Sequence, residues 1–196
     1  MIGSKRLWLL ALPLILVGLL LNPPGASAGV DHAKKYRAEV TAYGELIDDE
    51  YVWFDAWRVS TQSHINVLIA AKSDPEQWEH IPKIEEAAEV ERSLLLQDLV
   101  NEKRIVLKGI DQFQKRGLEW ITGKNDRKAF KGGVALLKSG FKEIFEATAA
   151  VKDALYHIIF ADSASAQSKL DSAGPTVLAG QSMADVGVKQ LLRILK

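Results

Sequence analysis

The sequence of 196 residues contains no cysteine. This absence excludes disulfide scaffolds, thiolate zinc sites, haem attachment through paired cysteines, iron–sulfur clusters and cysteine nucleophiles. A net charge is also lacking, since 25 Lys and Arg are balanced by 25 Asp and Glu. A protein that binds nucleic acid with its whole surface needs a clustered excess of cations. We therefore expect no nucleic-acid partner.

The motifs of common catalytic and ligand sites are missing as well. The sequence has no glycine-rich phosphate loop, no GxSxG, no HExxH and no EF-hand pattern. The four histidines form no HxxxH pair, and none lies three residues after a Glu as in di-iron bundles. A haem held by Met183 and His157 is an alternative that nothing in their spacing supports. The sequence thus predicts no catalytic residue, no metal site and no cofactor.

The first 28 residues have the order of a secretory signal peptide. Lys5 and Arg6 precede an apolar run from Leu7 to Leu21, and Ala26-Ser27-Ala28 supplies small residues at the cleavage position. The apolar run of about 15 residues is shorter than the roughly 20 that span a bilayer comfortably. We expect cleavage after Ala28 and export to the periplasm or the extracellular space, with an uncleaved membrane anchor as the alternative.

The rest of the chain is typical of an all-α protein. Ala, Leu, Glu, Lys and Gln dominate between the helix breakers, and no alternating strand pattern appears. From Asp31 to Lys72, apolar and aromatic residues recur at intervals of four and three, which is the seam of a helix packed on other helices, as in coiled coils. Further helices are expected from Pro82 to Ile121 and over the stripe from Phe130 to Ile158. Residues 73 to 82 are expected to form a corner, with Asp74 as an N-cap.

These patterns divide the chain into four segments. They are a signal peptide (1–28), a helical bundle domain (29–162), a Ser/Ala/Gly-rich linker or weak helix (163–187) and a basic amphipathic tail (188–196). The fold prediction is an antiparallel bundle of three long helices plus a short C-terminal amphipathic helix. Gly132, Gly133 and Gly140 are expected either to allow close helix approach or to mark a hinge near Gly132.

Charge is segregated along the chain although its sum is zero. Residues 74 to 91 carry seven acids and one base, and residues 124 to 142 carry six bases and one acid. If these segments lie at opposite ends of the bundle, the molecule has a basic tip for anionic lipid, a cell-wall polymer or an acidic partner. The structural alternative is a helix start that favours acids and a solvated cationic face. The candidate interaction surface comprises Lys124, Arg127, Lys128, Lys131, Lys138 and Lys142.

The C-terminal tail is a second candidate because it combines an apolar face with cations. A helix of this length is too short to be stable alone. It either binds a surface or partner, or docks on the bundle and completes the core. Its candidate residues are Lys189, Leu191, Leu192, Arg193 and Leu195.

A third candidate lies on the first helix. The stretch from Glu45 to Trp57 holds five acids and four aromatic residues, which fits ordinary core or an acidic, aromatic-rimmed surface that receives a cation or a basic partner. A polar pocket is a further interpretation, although Glu50 and His64 lie about 21 Å apart along one helix and cannot ligate one ion. The candidate pocket residues are Glu50, Trp57, Thr61 and His64.

The sequence therefore favours an exported, non-enzymatic structural or interaction protein of the cell envelope or the extracellular space. The expected partner is an unidentified protein or an anionic envelope surface. One alternative is a membrane-active or membrane-surface-binding helical protein, in which glycine hinges free apolar faces. Another is a small-ligand or metal carrier that uses the polar pocket.

Overall fold

A computed structural model describes the backbone of residues 28–195 and the side chains of residues 33–195. The helices in this range are α1 (Ala28–Ser73), α2 (Ile81–Trp120), α3 (Lys124–Ile159) and α4 (Ser163–Ile194), and a 3₁₀ helix (Pro75–His80) joins α1 to α2. No strand occurs within the described range, so the predicted all-α bundle is confirmed. The predicted signal peptide, apart from Ala28, lies outside the described residues.

The corner between α1 and α2 follows the predicted local chemistry. The Asp74 carboxylate accepts hydrogen bonds from the backbone N–H of Glu76 and from the Gln77 side chain, both at 3.0 Å. Pro75 occupies the first position, where its missing N–H is not needed. Asp74 is therefore an N-cap, but the helix that it caps is the 3₁₀ helix. The N-cap of α3 is Gly123, which provides no side-chain cap.

The fourth helix is longer than predicted. Residues 163–187, expected as a linker or weak helix, continue into the tail as one helix of 32 residues. Ser, Gly and Pro are poor helix formers, and tertiary packing outweighs their low propensity. The side of α4 that packs on the bundle consists largely of small residues, among them Ala166, Ala173, Gly180, Ala184 and Gly187.

The closest contact in the bundle is between α3 and α4. A Cβ atom at Gly140 would lie 2.5 Å from backbone atoms of Gly180 and Ala184. A Cβ atom at Gly187 would lie 2.6 Å from the backbone of α3. These glycines therefore permit close helix approach, and α3 continues through Gly132-Gly133 without interruption.

Helices α1 and α2 approach each other less closely, because aromatic side chains fill the space beside them. Tyr36 packs on Phe113 and Trp120, with ring centroids 5.9 and 5.7 Å apart. Tyr43 packs edge-on against Phe113 and against Phe141 of α3. Large side chains thus hold α1 away from α2, whereas small ones bring α3 and α4 together.

The two ends of the bundle hold different segments of the chain. One end holds the start of α1, the α2–α3 turn and the end of α4, and the other holds the α1–α2 corner and the α3–α4 turn. Helix α2 alone separates them by about 60 Å, at 1.5 Å per residue. The acidic segment 74–91 and the basic segment 124–142 therefore begin at opposite ends, which we call the acidic end and the basic end.

Replacing Gly140 with Ala should destabilise the protein, because the new methyl group meets backbone atoms of α4. Overpacking of this kind costs about 1–3 kcal/mol, which urea unfolding measures directly. Gly44→Ala is the matched control, since its Cβ would lie at an ordinary 3.7 Å from the Val188 side chain. That substitution should raise the free energy of unfolding by up to about 1 kcal/mol, and equal effects of the two would contradict the close approach.

Candidate functional site

The six predicted surface cations of α3 share one helix face. With 3.6 residues per turn they fall within an arc of about 100° and extend over about 27 Å. Five of them are exposed, and Lys138 forms an ion pair with Asp111 of α2. We call this face the α3 stripe, and its members are Lys124, Arg127, Lys128, Lys131, Lys138 and Lys142.

The first turns of α3 and the preceding turn form a shallow depression of about 450 Å³. Among the described residues, none of its cations has an ion-pair partner, and no described side chain caps this helix N-terminus. First-turn N–H groups and unpaired cations both favour anions. One acid, Asp126, lies in the same turn. The lining residues are Thr122, Lys124, Arg127, Lys128 and Lys131.

The C-terminal tail docks beside this depression. Gln190 donates a hydrogen bond to the backbone carbonyl of Ala129 in α3, at 2.7 Å. Leu191 and Leu195 are buried, Leu192 is half-buried, and the cations Lys189 and Arg193 are exposed. The tail therefore completes the core with its apolar side and adds positive charge to the basic end. Lys196 lies outside the described residues.

The two halves of the bundle differ in charge. The acidic half, residues 51–101 and 146–178, has 13 Asp and Glu against 6 Lys and Arg. The basic half, residues 33–50, 102–145 and 179–195, has 16 Lys and Arg against 11 Asp and Glu. The balanced total therefore conceals a bipolar molecule.

A second polar region lies between α1 and α2, and we call it the α1–α2 seam. At its basic end the buried carboxylate of Glu39 accepts a hydrogen bond from Arg116 at 2.5 Å. Burial raises the pKa of Glu39, and the charge and hydrogen bond of Arg116 offset this only in part. The seam residues are Glu39, Glu50, Ser60, Thr61 and His64 of α1, and Glu91, Glu102 and Arg116 of α2.

Near the acidic end, the carboxylate of Glu91 contacts two α1 side chains. The Ser60 hydroxyl donates to both carboxylate oxygens at 3.0 Å, and His64 Nε2 lies 3.3 Å from Oε1. Burial alone would raise the pKa of Glu91, but the contacts from His64 and Ser60 lower it overall. A catalytic triad places the histidine between serine and acid, whereas here the carboxylate stands between the other two. The three side chains therefore link α1 to α2 and do not have the order of a catalytic triad.

In the middle of the seam, carboxylates from both helices approach one another. Glu50 is 3% exposed, and its Oε2 has no hydrogen-bond partner among the described residues. Burial, with added repulsion from Glu102 and Asp49, raises the pKa of Glu50 to about 8. Burial and the charge of Asp98 also raise the pKa of Glu102. Burial, with a smaller contribution from neighbouring charges, therefore keeps the Glu50 carboxyl group protonated at neutral pH.

The four predicted pocket residues lie along four turns of α1. Glu50 interacts with Glu102. His64 lies about 21 Å farther along α1 and contacts Glu91 instead. Trp57 and Thr61 are buried between them. No group of three or more His, Cys, Asp or Glu side chains in the described range has the arrangement of a metal site.

The structure also places the two residues of the haem alternative. His157 lies 3.7 Å from Asp162, and the nearby Asp153 pairs with Lys152. Met183 lies in the basic half and His157 in the acidic half. Their separation of roughly 25 Å along the bundle is too long for the two axial ligands of one haem.

Comparisons with protein-family models, with curated proteins and with solved structures find no match to this chain. None of the described helices has the length and apolar character needed to cross a membrane. Function must therefore be inferred from the basic end and the α1–α2 seam themselves.

The substitution Arg116→Leu should destabilise the protein, because it leaves Glu39 buried without its cation. Breaking a fully buried pair costs about 3–5 kcal/mol, and we expect roughly 2 kcal/mol here since Arg116 is 30% exposed. Urea unfolding at neutral pH measures the difference. The double variant Glu39→Leu/Arg116→Leu should recover most of the loss, and a double variant as unstable as Arg116→Leu would show that charge is not the cause.

Stability should fall as the pH rises through the range in which Glu50 ionises. Its pKa of about 8 in the folded protein exceeds the ordinary 4.5, so the folded state retains a proton that the unfolded chain releases. The contribution is complete below pH 4.5 and is lost between pH 4.5 and 8, by on the order of 1 kcal/mol per pH unit. Glu50→Gln should flatten this slope in urea titrations, whereas the exposed control Asp48→Asn should preserve it. An unchanged slope in Glu50→Gln would refute the assignment.

Proposed function

We propose that the protein is an exported, non-enzymatic interaction protein whose basic end binds an anionic surface of the cell envelope. The observation that carries this proposal is the group of unpaired cations around the α2–α3 turn: Lys124, Arg127, Lys128 and Lys131. Phosphate-bearing surfaces attract such clusters by about 1 kcal/mol per Lys or Arg. Export is supported by the signal-like order of the first 28 residues.

Adjacent elements strengthen the positive field of this end. The tail adds the exposed Lys189 and Arg193, and the start of α1 adds the exposed Lys34 and Arg37. The uncapped first-turn N–H groups of α3 contribute locally, although the C-termini of α2 and α4, with the opposite dipole, lie at the same end. The cations lie on the end of a rigid rod, so they can meet a flat surface together.

Surface binding fits the packing better than insertion of helices into a bilayer. Leu191 and Leu195 of the tail are buried in the core, so an inserting tail would first have to leave it. Gly133 accommodates Leu191 at the same place, which ties the predicted hinge region to α4. The proposed binding is therefore electrostatic and reversible by salt.

The triple variant Lys124→Gln/Lys128→Gln/Lys131→Gln should bind anionic vesicles roughly a hundredfold more weakly than the wild type, from about 1 kcal/mol per cation. The measurement is co-sedimentation of the mature protein with phosphatidylglycerol vesicles at low salt. High salt should release the wild-type protein, and vesicles of phosphatidylcholine alone should not retain it.

The matched control is Lys83→Gln/Lys103→Gln/Lys169→Gln, which removes three exposed cations outside the α3 stripe. It has the same net charge as the test variant and should bind almost as well as the wild type. Equal losses in the two triple variants, or no wild-type sedimentation at low salt, would contradict the proposed site.

A further inference from the structure

Exposed large apolar side chains are concentrated in the acidic half. Twelve of the fourteen in the described range lie within residues 51–101 or 146–178, and the other two are Ile105 and Val186. Exposed apolar areas with polar rims mark interaction sites. The proposed surface-binding end accounts for none of the twelve.

Three of these side chains flank the outer edge of the α1–α2 seam. The contact between His64 and Glu91 fixes the register of the two helices. Val67 follows His64 by one turn on α1, Leu94 follows Glu91 by one turn on α2, and Val90 lies one turn before Leu94 on the same face. Their exposures of 48%, 57% and 43% show that nothing in the described chain covers them. We call this strip the α1–α2 groove.

Helix α1 also lacks the charged outer face of an ordinary surface helix. From Val59 to Ala71 it contains no Asp, Glu, Lys or Arg, although Val59, Ser63 and Ala70 are exposed. The outer face of a surface helix is usually charged or polar, whereas this segment presents apolar side chains among a few uncharged polar ones. The composition of α1 thus agrees with the exposure of Val67 in favouring a partner on this side.

Carboxylates follow the groove toward the middle of the bundle. Glu91, Asp98 and Glu102 are spaced by seven and four residues, so they lie along the edge of α2 nearest α1. Asp49 and Glu50 approach from α1. Glu50 is 3% exposed, its Oε2 has no hydrogen-bond partner among the described atoms, and its carboxyl group interacts electrostatically with Glu102 and Asp49. The apolar strip is therefore continuous with an acidic region that favours a bound cation.

We propose that the α1–α2 groove binds a cationic amphipathic helix of a partner protein. Apolar side chains of that helix pack on Val67, Val90 and Leu94, and a lysine or arginine extends toward Glu50 and Glu102. This is helix-in-groove recognition with complementary charge. A bound cation favours the ionised form of Glu50, which is otherwise protonated in the folded protein, and offsets the repulsion from Glu102 that ionisation brings.

A second copy of the chain complements this groove less well. The acidic half cannot complement itself in charge, and the basic half carries only Ile105 and Val186 as exposed large apolar residues. A metal ion alone would leave Val90 and Leu94 exposed. The partner therefore combines positive charge with an apolar face on one helix. The apolar strip of the groove lies in the acidic half, and Glu50 and Glu102 lie at the middle of the bundle, so the groove is a separate site from the basic end.

The test measures binding of a fluorescein-labelled amphipathic helical peptide of Leu and Lys to the mature protein, with fluorescence anisotropy as the readout. Wild-type protein should bind it saturably, and Val90→Ser/Leu94→Ser should weaken binding by about tenfold or more. Both residues are exposed, so circular dichroism should show an unchanged fold. The control Leu96→Ser/Val100→Ser removes two exposed apolar residues from the α3 side of α2 and should change binding less than about threefold.

A charge pair completes the design. Glu50→Gln/Glu102→Gln should weaken binding of the Leu/Lys peptide more than Glu76→Gln/Glu79→Gln, which replaces two carboxyl groups on the exposed 3₁₀ helix. A Leu/Glu peptide of the same pattern should not bind. Absence of saturable binding, or equal losses within each pair of variants, would overturn the proposal, because attraction would then not depend on the groove.

Discussion

Backbone contact between α3 and α4 determines how the rest of the bundle is arranged. Glycines at positions 140, 180 and 187 let the two helices approach to a distance that no Cβ atom would permit. No side chain fits at these three contact points, and aromatic side chains of the core pack beside α1 and α2. Tyr36, Tyr43 and Phe113 then hold these two helices apart. The space between them is occupied by polar side chains rather than by further hydrophobic contacts.

Burial of the polar side chains in the α1–α2 seam costs folding free energy. Hydrogen bonds and ion pairs offset this cost for some of the carboxyl groups but not for all. Arg116 compensates Glu39, and Ser60 and His64 compensate Glu91. Glu50 has no such partner within the described chain and is held protonated instead. A protein without disulfides depends on its core alone for stability, so a buried uncompensated carboxyl group is informative. It marks the position at which an external cation would be most favourable.

Much of the fold could be predicted because the buried face of a helix follows from the spacing of apolar residues within that helix. The four-three spacing from Tyr36 to Ala71 predicted the buried face of α1, and Asp74 predicted the corner. Helix α4 was concealed because its Ser, Gly and Pro residues have low helix propensity, and only the glycines of α3 make its small-residue face favourable. The partners of the seam were concealed for a similar reason. Glu91 lies 31 residues from Ser60, and Arg116 lies 77 residues from Glu39, and single-helix periodicity carries no information about such pairs.

The central functional claim is that anion binding is confined to the basic end of a bipolar rod. Backbone amide NMR shifts during titration with a soluble short-chain phosphatidylglycerol would test it most directly. Our account expects saturable shifts at Gly123 to Lys131 and at Lys189 to Arg193, with little change in the acidic half. Shifts spread over the whole bundle, or centred on residues 74 to 91, would contradict it.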